Sequence, residues 1–477
     1  VRSRGLGDVY KRQLYFCMAK YFFEFKQLIK IGVPIFGSQL SYTLMGATDT
    51  IIAGRASAND LAGLAVGTAF SNTIWFFFTG IIFAVTPIVA QLYGAKKFLE
   101  IGKKLREIIW VAAGLGLLMA FIFYNMDIII ELLPIKNSIT SVTIGYLKAV
   151  SIGWFFVTIF TCLRCYSEGM TFTKPVFYIA FSGMLLNIPL DLIFVYGWFG
   201  APKLGGIGCG IATSIVSFIM MISIFVYINY SKNYKRTEPF SRFTLPSLKT
   251  TKEVFKLGLP IGLGIFIELS MFSGAAIILS VLGEIVVASH SVAISIASLF
   301  FMVPLAIGLA SSTRVGNLIG EKNPYQAKIA ATSTILLCIS GALLNSIIII
   351  SFGSFIVGLY TTEVPVLELA ISLILFAAIF QLPDGIQMGA LGSLRGYKDT
   401  FIPMILLMIS YWIFAMPIGY YLTNFGFGTP LGAKGMWFGM IIGLTIFSFL
   451  SIFRLKWVVK NQIKKISTNN FSDFAAN

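Results

Sequence analysis

Four carboxylates stand inside long apolar runs of this 477-residue chain: Asp49, Asp191, Glu268 and Asp384, two in each half. A charge at membrane depth is costly unless it is protonated, paired or hydrated, so each acid marks a functional site. The alternative, a protonated acid bonding a neighbouring helix, is weaker for four together than for any one. No lysine or arginine lies at comparable depth in the sequence to neutralise them. Protons, sodium or a cationic substrate remain as partners. Asn187 and Asp191 are spaced i, i+4 in N-I-P-L-D and share a helix face. Pro189 between them leaves a backbone carbonyl free nearby. Glu268 follows Lys256 by twelve residues and Asp384 precedes Arg395 by eleven. At the helical rise both lie roughly 16–18 Å from the basic end, deep enough to share a midplane site. Asp49, about 28 Å from Lys30 on the same scale, falls in the outer half with Asp191. The spacing therefore predicts one acid cluster per half.

Helices must hold these residues. The chain is 57% hydrophobic and 12% charged, with a mean hydropathy of +0.85, against a charged share of about 25% in soluble domains. Twelve apolar runs are long enough to cross a bilayer: 28–53, 61–90, 107–133, 139–163, 175–199, 206–230, 257–281, 285–313, 329–359, 364–393, 401–424 and 435–457. Lipid offers no partner for backbone polar groups, so runs of this length are helical. The expected fold class is all-α integral membrane.

With twelve spans both termini share a side, and 31 of the 36 Lys and Arg residues fall there. Arg55, Lys136, Lys148, Lys203 and Lys434 are left on the other. The positive-inside rule then puts both termini in the cytoplasm. The net charge of +16 reads as a topology signal and an affinity for anionic lipid headgroups, not as a nucleic-acid patch.

The halves are copies. A-V-T-P-I-V-A-Q-L-Y-G-A-K (84–96) matches A-S-S-T-R-V-G-N-L-I-G-E-K (310–322) at an offset of 226, which also aligns Lys30–Pro34 with Lys256–Pro260. L-R-C-Y-S-E (163–168) and L-R-G-Y-K-D (394–399) form a weaker echo and read as short cytoplasmic turns. Six spans per half make the repeats parallel, an arrangement typical of transporters. The expected organisation is a cytoplasmic segment 1–25, an N-lobe 26–230 (spans 1–6), a basic linker 231–256, a C-lobe 257–458 (spans 7–12) and a tail 459–477. Residues 1–17 bear no relation to the rest of the chain and read as non-native, with Met18 as the start. No signal peptide is visible, and disulfides are not expected of the five cysteines. His290 and the aromatics Phe70, Trp75, Phe76, Phe77, Trp154 and Phe155 read as packing residues before cation-stacking or proton-relay groups.

Several long strings carry a resemblance: T-L-M-G-A-T-D-T-I-I-A-G-R, N-I-P-L-D-L-I-F-V-Y-G-W-F-G, L-P-I-G-L-G-I-F-I-E-L-S and D-G-I-Q-M-G-A-L-G-S-L-R-G-Y-K-D. Together, over about residues 26–457, the chain resembles the NorM-type branch of the multidrug and toxic compound extrusion (MATE) transporters. The resemblance implies a MATE-like fold of twelve transmembrane helices in two parallel six-helix lobes. It implies an antiporter that exports cationic, amphipathic drugs against inward Na⁺ or H⁺ flow, with no other cofactor. It assigns Asp49, Asn187 and Asp191 to an N-lobe cation or substrate site, and Glu268 and Asp384 to a C-lobe cation site able to take Na⁺. Asp191 stands where NorM-type members often have asparagine and so resembles the proton-coupled branch. The coupling ion is open on sequence. A monomer in the cell membrane is the expected state.

A lipid-linked oligosaccharide flippase is the alternative of the same superfamily, but an anionic diphosphate substrate would want deep basic residues. A major-facilitator carrier would show G-x-x-x-D-R-x-G-R-R after the second span, where G-A-K-K-F stands. One histidine in 477 residues argues against a membrane enzyme.

Overall fold

The structure, a computed structural model, describes the backbone of residues 2–132 and 136–475 and the side chains of 18–132 and 136–465. Residues 1–17, expected to be non-native, lie outside the described side chains. The described chain is helical with no strand: α1 Arg2–Ala56, α2 Ala58–Ile82, α3 Val85–Gly94, α4 Phe98–Tyr124, α5 Asp127–Ile130, α6 Asn137–Gly169, α7 Thr173–Tyr196, α8 Gly206–Tyr230, α9 Leu248–Ser280, α10 Glu284–Gly320, α11 Pro324–Tyr360, α12 Val364–Gly396, α13 Phe401–Met408, α14 Met416–Asn424 and α15 Ala433–Ala475. Eleven spans among the described residues are long and apolar enough to cross a membrane. α1 is the twelfth long helix. It falls short in apolarity because Ser38, Gln39, Ser41, Thr48, Asp49 and Thr50 share its membrane stretch.

Prolines account for the breaks. Pro87 has no N–H for the Phe83 carbonyl, and α2 gives way to α3 at Phe83–Ala84. Pro417 follows a π-helical turn, Ile409–Ala415, that joins α13 to α14. The echo at 163–168 is not a cytoplasmic turn, as expected from sequence, but the last turns of α6. Arg164 can remain helical and buried because Glu168 lies 3.5 Å away, Gln39 Oε1 accepts from its Nη1 at 3.3 Å, and the Tyr42 and Phe83 rings flank its guanidinium. Residues 394–396 likewise finish α12.

The chain forms two compact units, Pro34–Phe266 (the N-unit) and Val1–Val33 with Ile267–Asn477 (the C-unit). They divide within α1 and α9 and not at the 231–256 join. Within the N-unit, α9 begins against α2: Gly80 and Gly262 meet backbone to backbone, where any Cβ would collide. Lys104 also bonds Glu253 at 2.7 Å and Thr250 at 2.9 Å. Within the C-unit, the beginning of α1 docks on α10, with Gly32 facing Ala306 and Ala310. Glu24, fully buried, accepts from Arg314 Nε and Nη2 at 2.7 Å each and from Gln326 Nε2 at 2.7 Å.

Removing one member of a buried pair strands the other charge. Arg314→Met should therefore destabilise the protein by about 3 kcal/mol, the low end for such a break, because the Arg314 side chain keeps 16% exposure. Thermal unfolding in detergent reads this out; an unchanged midpoint would mean the pair contributes nothing.

Candidate functional site

Each unit contains one pair of acids bridged by a single carboxamide. In the N-unit, Asn187 Nδ2 on α7 donates to Asp49 Oδ1 of α1 at 2.6 Å and to Asp191 Oδ2 at 2.6 Å. Thr213 Oγ1 on α8 donates to the second Asp49 oxygen at 3.3 Å. Asn187 and Asp191 are fully buried and Asp49 is 7% exposed. Asn187 Oδ1 and Asp191 Oδ1 have no hydrogen-bond partner among the described residues. The i, i+4 spacing sets Asn187 and Asp191 one above the other, while α1 delivers Asp49 from across the unit.

In the C-unit, Gln387 Nε2 on α12 donates to Glu268 Oε1 of α9 at 2.9 Å and to Asp384 Oδ1 at 2.8 Å. Tyr411 donates to Gln387 Oε1 at 2.7 Å and lies 3.4 Å from Glu268 Oε1. Because the Tyr411 hydroxyl occupies the amide oxygen, the amide NH₂ is left for the two acids. Tyr411 stands in the π-helical turn, whose wider winding re-aims the side chain; such turns recur at functional sites. Glu268 Oε2 and Asp384 Oδ2 lie outside this network.

Polar contacts to α10 and α11 hold α12. Pro304 leaves the Phe300 carbonyl without a helical donor, and Asn345 Nδ2 donates to it at 2.9 Å. The same nitrogen reaches Gln381 Oε1 at 3.3 Å, and Gln381 Nε2 reaches the Ala297 carbonyl at 3.3 Å. Gln381 lies one turn from Asp384, so α10, α11 and α12 are tied together beside the acid pair.

All five residues selected from sequence thus gather in two groups, Asp49, Asn187 and Asp191 in one and Glu268 and Asp384 in the other. Among the described side chains no lysine or arginine bonds any of the four acids. Two carboxylates on one amide nitrogen carry more negative charge than that dipole can offset in an apolar interior, so the N-unit pair needs a proton or a cation; in the C-unit Arg395 acts on Glu268 through space and offsets part of the charge without bonding it. Gln387, Thr213 and Tyr411 are members that sequence reasoning misses. Gln387 has a signal: P-D-G-I-Q places an amide i+3 from an acid beside a proline, much as N-I-P-L-D does. Tyr411, one of nineteen tyrosines, has none. Trp75 and Trp154 stack on each other at 5.0 Å, and buried His290 packs edge-on against Trp437. Cys162, Cys165, Cys209 and Cys338 are free and buried.

The family model MatE matches the chain twice, over residues 34–193 and 260–421. The two starts are 226 residues apart, the offset of the internal repeat. Among curated relatives, Multidrug resistance protein NorM of Vibrio cholerae serotype O1 is 38% identical over 445 residues, 93% of this chain and 97% of that protein. Multidrug resistance protein MdtK of Proteus mirabilis is 37% identical over 443 residues, 92% of this chain and 97% of that one. Among solved structures, the eukaryotic MATE transporter AtDTX14 superposes with a TM-score of 0.83 at 18% identity, covering 94% of this chain and all of that one. An outward-facing multidrug resistance MATE family transporter of the MOP superfamily gives 0.83 at 19% identity, covering 92% and 96%. At these identities the superpositions speak for the fold. The repeated family match and the relatives along nearly the whole chain speak for descent: the chain belongs to the MatE family, the multidrug and toxic compound extrusion transporters.

Proposed function

We propose that this protein is a secondary multidrug antiporter that expels cationic, amphipathic compounds across the cell membrane in exchange for Na⁺ or H⁺. The observation that carries this reading is the amide-bridged acid pair in each unit, buried and unaccompanied by a bonded lysine or arginine among the described residues. Its relatives' names, multidrug resistance proteins, agree with it. Both termini face the cytoplasm in this reading, in keeping with the distribution of basic residues.

The mechanism is competition for the acids. With the site open outward, Na⁺ or H⁺ joins a carboxylate pair and removes the charge that holds the drug cation, which leaves. With the site open inward, the ion departs to the cytoplasm and the pair again attracts a cationic drug. The bridging amide makes the ion-free state tolerable, because its N–H groups satisfy one oxygen of each acid. Only a difference in affinity between the two states drives the cycle. Glu268 and Asp384 are the candidates for Na⁺, with Gln387 and Tyr411 fixing them. Asp49 and Asp191 are the candidates for H⁺ or drug, oriented by Asn187.

Binding of a fluorescent cationic dye to the purified transporter tests this. Na⁺ or protons should displace the dye in a saturable manner at constant ionic strength. Dye binding that ignores both ions would overturn competition, and an absence of dye binding would turn attention to amphiphile flipping.

A further inference from the structure

One end of the N-unit holds a cavity of about 260 Å³ that the transport cycle does not use. Its walls come from the end of α3 (Tyr93), the start of α4 (Phe98), the turn between α6 and α7 (Met170, Phe172) and the turn after α8 (Lys232 to Thr237). These connections succeed the second, fourth and sixth spans. They lie on the side where basic residues concentrate, where apolar helices give way to water.

The turn after α8 is built as part of the unit and is not a loose linker. Thr237, 2% exposed, shares a 2.6 Å hydrogen bond with Tyr166 and donates to the Tyr234 carbonyl at 2.7 Å. Its own carbonyl sits on Gly102 of α4, where any side chain would collide. Arg106 donates to the Glu238 carbonyl at 2.6 Å and to Thr244 Oγ1 at 2.9 Å, and Trp110 donates to the Thr244 carbonyl at 3.0 Å. The backbone that carries the cations of this turn is therefore fixed before any ligand arrives.

The chemistry of the cavity is one-sided. Lys232, Arg236 and Asn233 supply donors, and among the described residues no acid lines it. Arg236 contacts the Phe98 ring at 5.9 Å and makes no ion pair with a described residue. The nearest acid along α4, Glu100, is taken by Lys97 at 3.1 Å. The remaining wall is apolar, Met170 with three aromatics, Tyr93 meeting Phe98 and Phe172 edge-on. A forked guanidinium, an ammonium and an amide N–H over an aromatic floor suit a tetrahedral oxyanion attached to something less polar.

We propose that this cavity binds a phosphate group, Lys232 and Arg236 gripping its oxygens and the aromatic wall receiving the atoms attached to it. The source that fits its position is the phosphodiester of an anionic lipid headgroup; a soluble phosphate compound shares the same chemistry. Arg236 and Lys232 are both exposed at the rim, so neither carries the fold.

Native mass spectrometry of the full-length protein with phosphatidylglycerol, against phosphatidylcholine, measures the effect. The paired variant Lys232→Gln, Arg236→Gln should bind phosphatidylglycerol about thirtyfold more weakly, roughly fivefold per cation. A control of equal charge change, Lys249→Gln with Lys252→Gln on the exposed start of α9, should stay near wild type. Retention of the lipid in millimolar inorganic phosphate would assign the site to a lipid; displacement by phosphate, with the same loss in the site variant, would assign it to a soluble compound. Equal binding by wild type and site variant, or equal loss in both variant pairs, would overturn the proposal.

Discussion

Glu268→Gln should abolish Na⁺-driven drug export while leaving the protein folded. The replacement keeps the shape of the side chain and an Oε1 that still accepts from Gln387 Nε2, the 2.9 Å bond of the parent. What it removes is the charge that Na⁺ would neutralise. A contact to a charged group is worth up to about 3 kcal/mol, so loss of the ion from this site should lower coupled export by about a hundredfold. Dye efflux from energised cells at matched expression reads the loss, and thermal unfolding of the purified variant checks the fold. Export within threefold or so of wild type, beside a normal melt, would remove Glu268 from the ion pathway; that margin is set well below the roughly tenfold that 1.4 kcal/mol gives.

The second large effect comes from a residue with no charge. Asn187→Leu removes both N–H donors from the N-unit pair. Asp49 still accepts from Thr213 at 3.3 Å, but Asp191 loses the hydrogen bond that Asn187 gives it. Competition sets the direction. The amide stabilises the ion-free carboxylates, so without it the pair clings to whatever ion neutralises it. Half-saturation for that ion should tighten by about tenfold or more, since a hydrogen bond to a charged group contributes about 1.5–3 kcal/mol, and turnover should fall because release becomes slow. A merely structural role would lower stability and leave ion half-saturation alone, and that result would contradict the assignment.

Much of this molecule is legible in its sequence because a bilayer leaves a chain few choices. Runs of apolar residues long enough to cross must be helices, and the duplicated phrase at 84–96 and 310–322 marks the chain as two copies of one unit before any contact is known. Prolines are legible as punctuation: Pro87 breaks the second span where its missing N–H requires. The ends of helices are not. α6 runs to Gly169 with Arg164 buried because Glu168, Gln39 and two aromatic rings surround the guanidinium, and those partners come from other turns and other helices. The exchange of helix beginnings is hidden for the same reason. Glu24 and Arg314 are 290 residues apart, and nothing local marks them as a pair. At the acid clusters the charged residues announce themselves by cost alone. Gln387 and Tyr411 are individually cheap to bury, and only the fold shows what they hold.

Efflux of a cationic dye from proteoliposomes, under an imposed Na⁺ gradient or an imposed pH gradient, asks whether an ion at these acids drives export, with wild type, Glu268→Gln and Asp49→Asn side by side. Efflux should be driven by at least one gradient and lost when the acid serving that ion is neutralised: Na⁺-driven efflux lost in Glu268→Gln, or pH-driven efflux lost in Asp49→Asn. Efflux under neither gradient, or efflux that survives both substitutions, would contradict it.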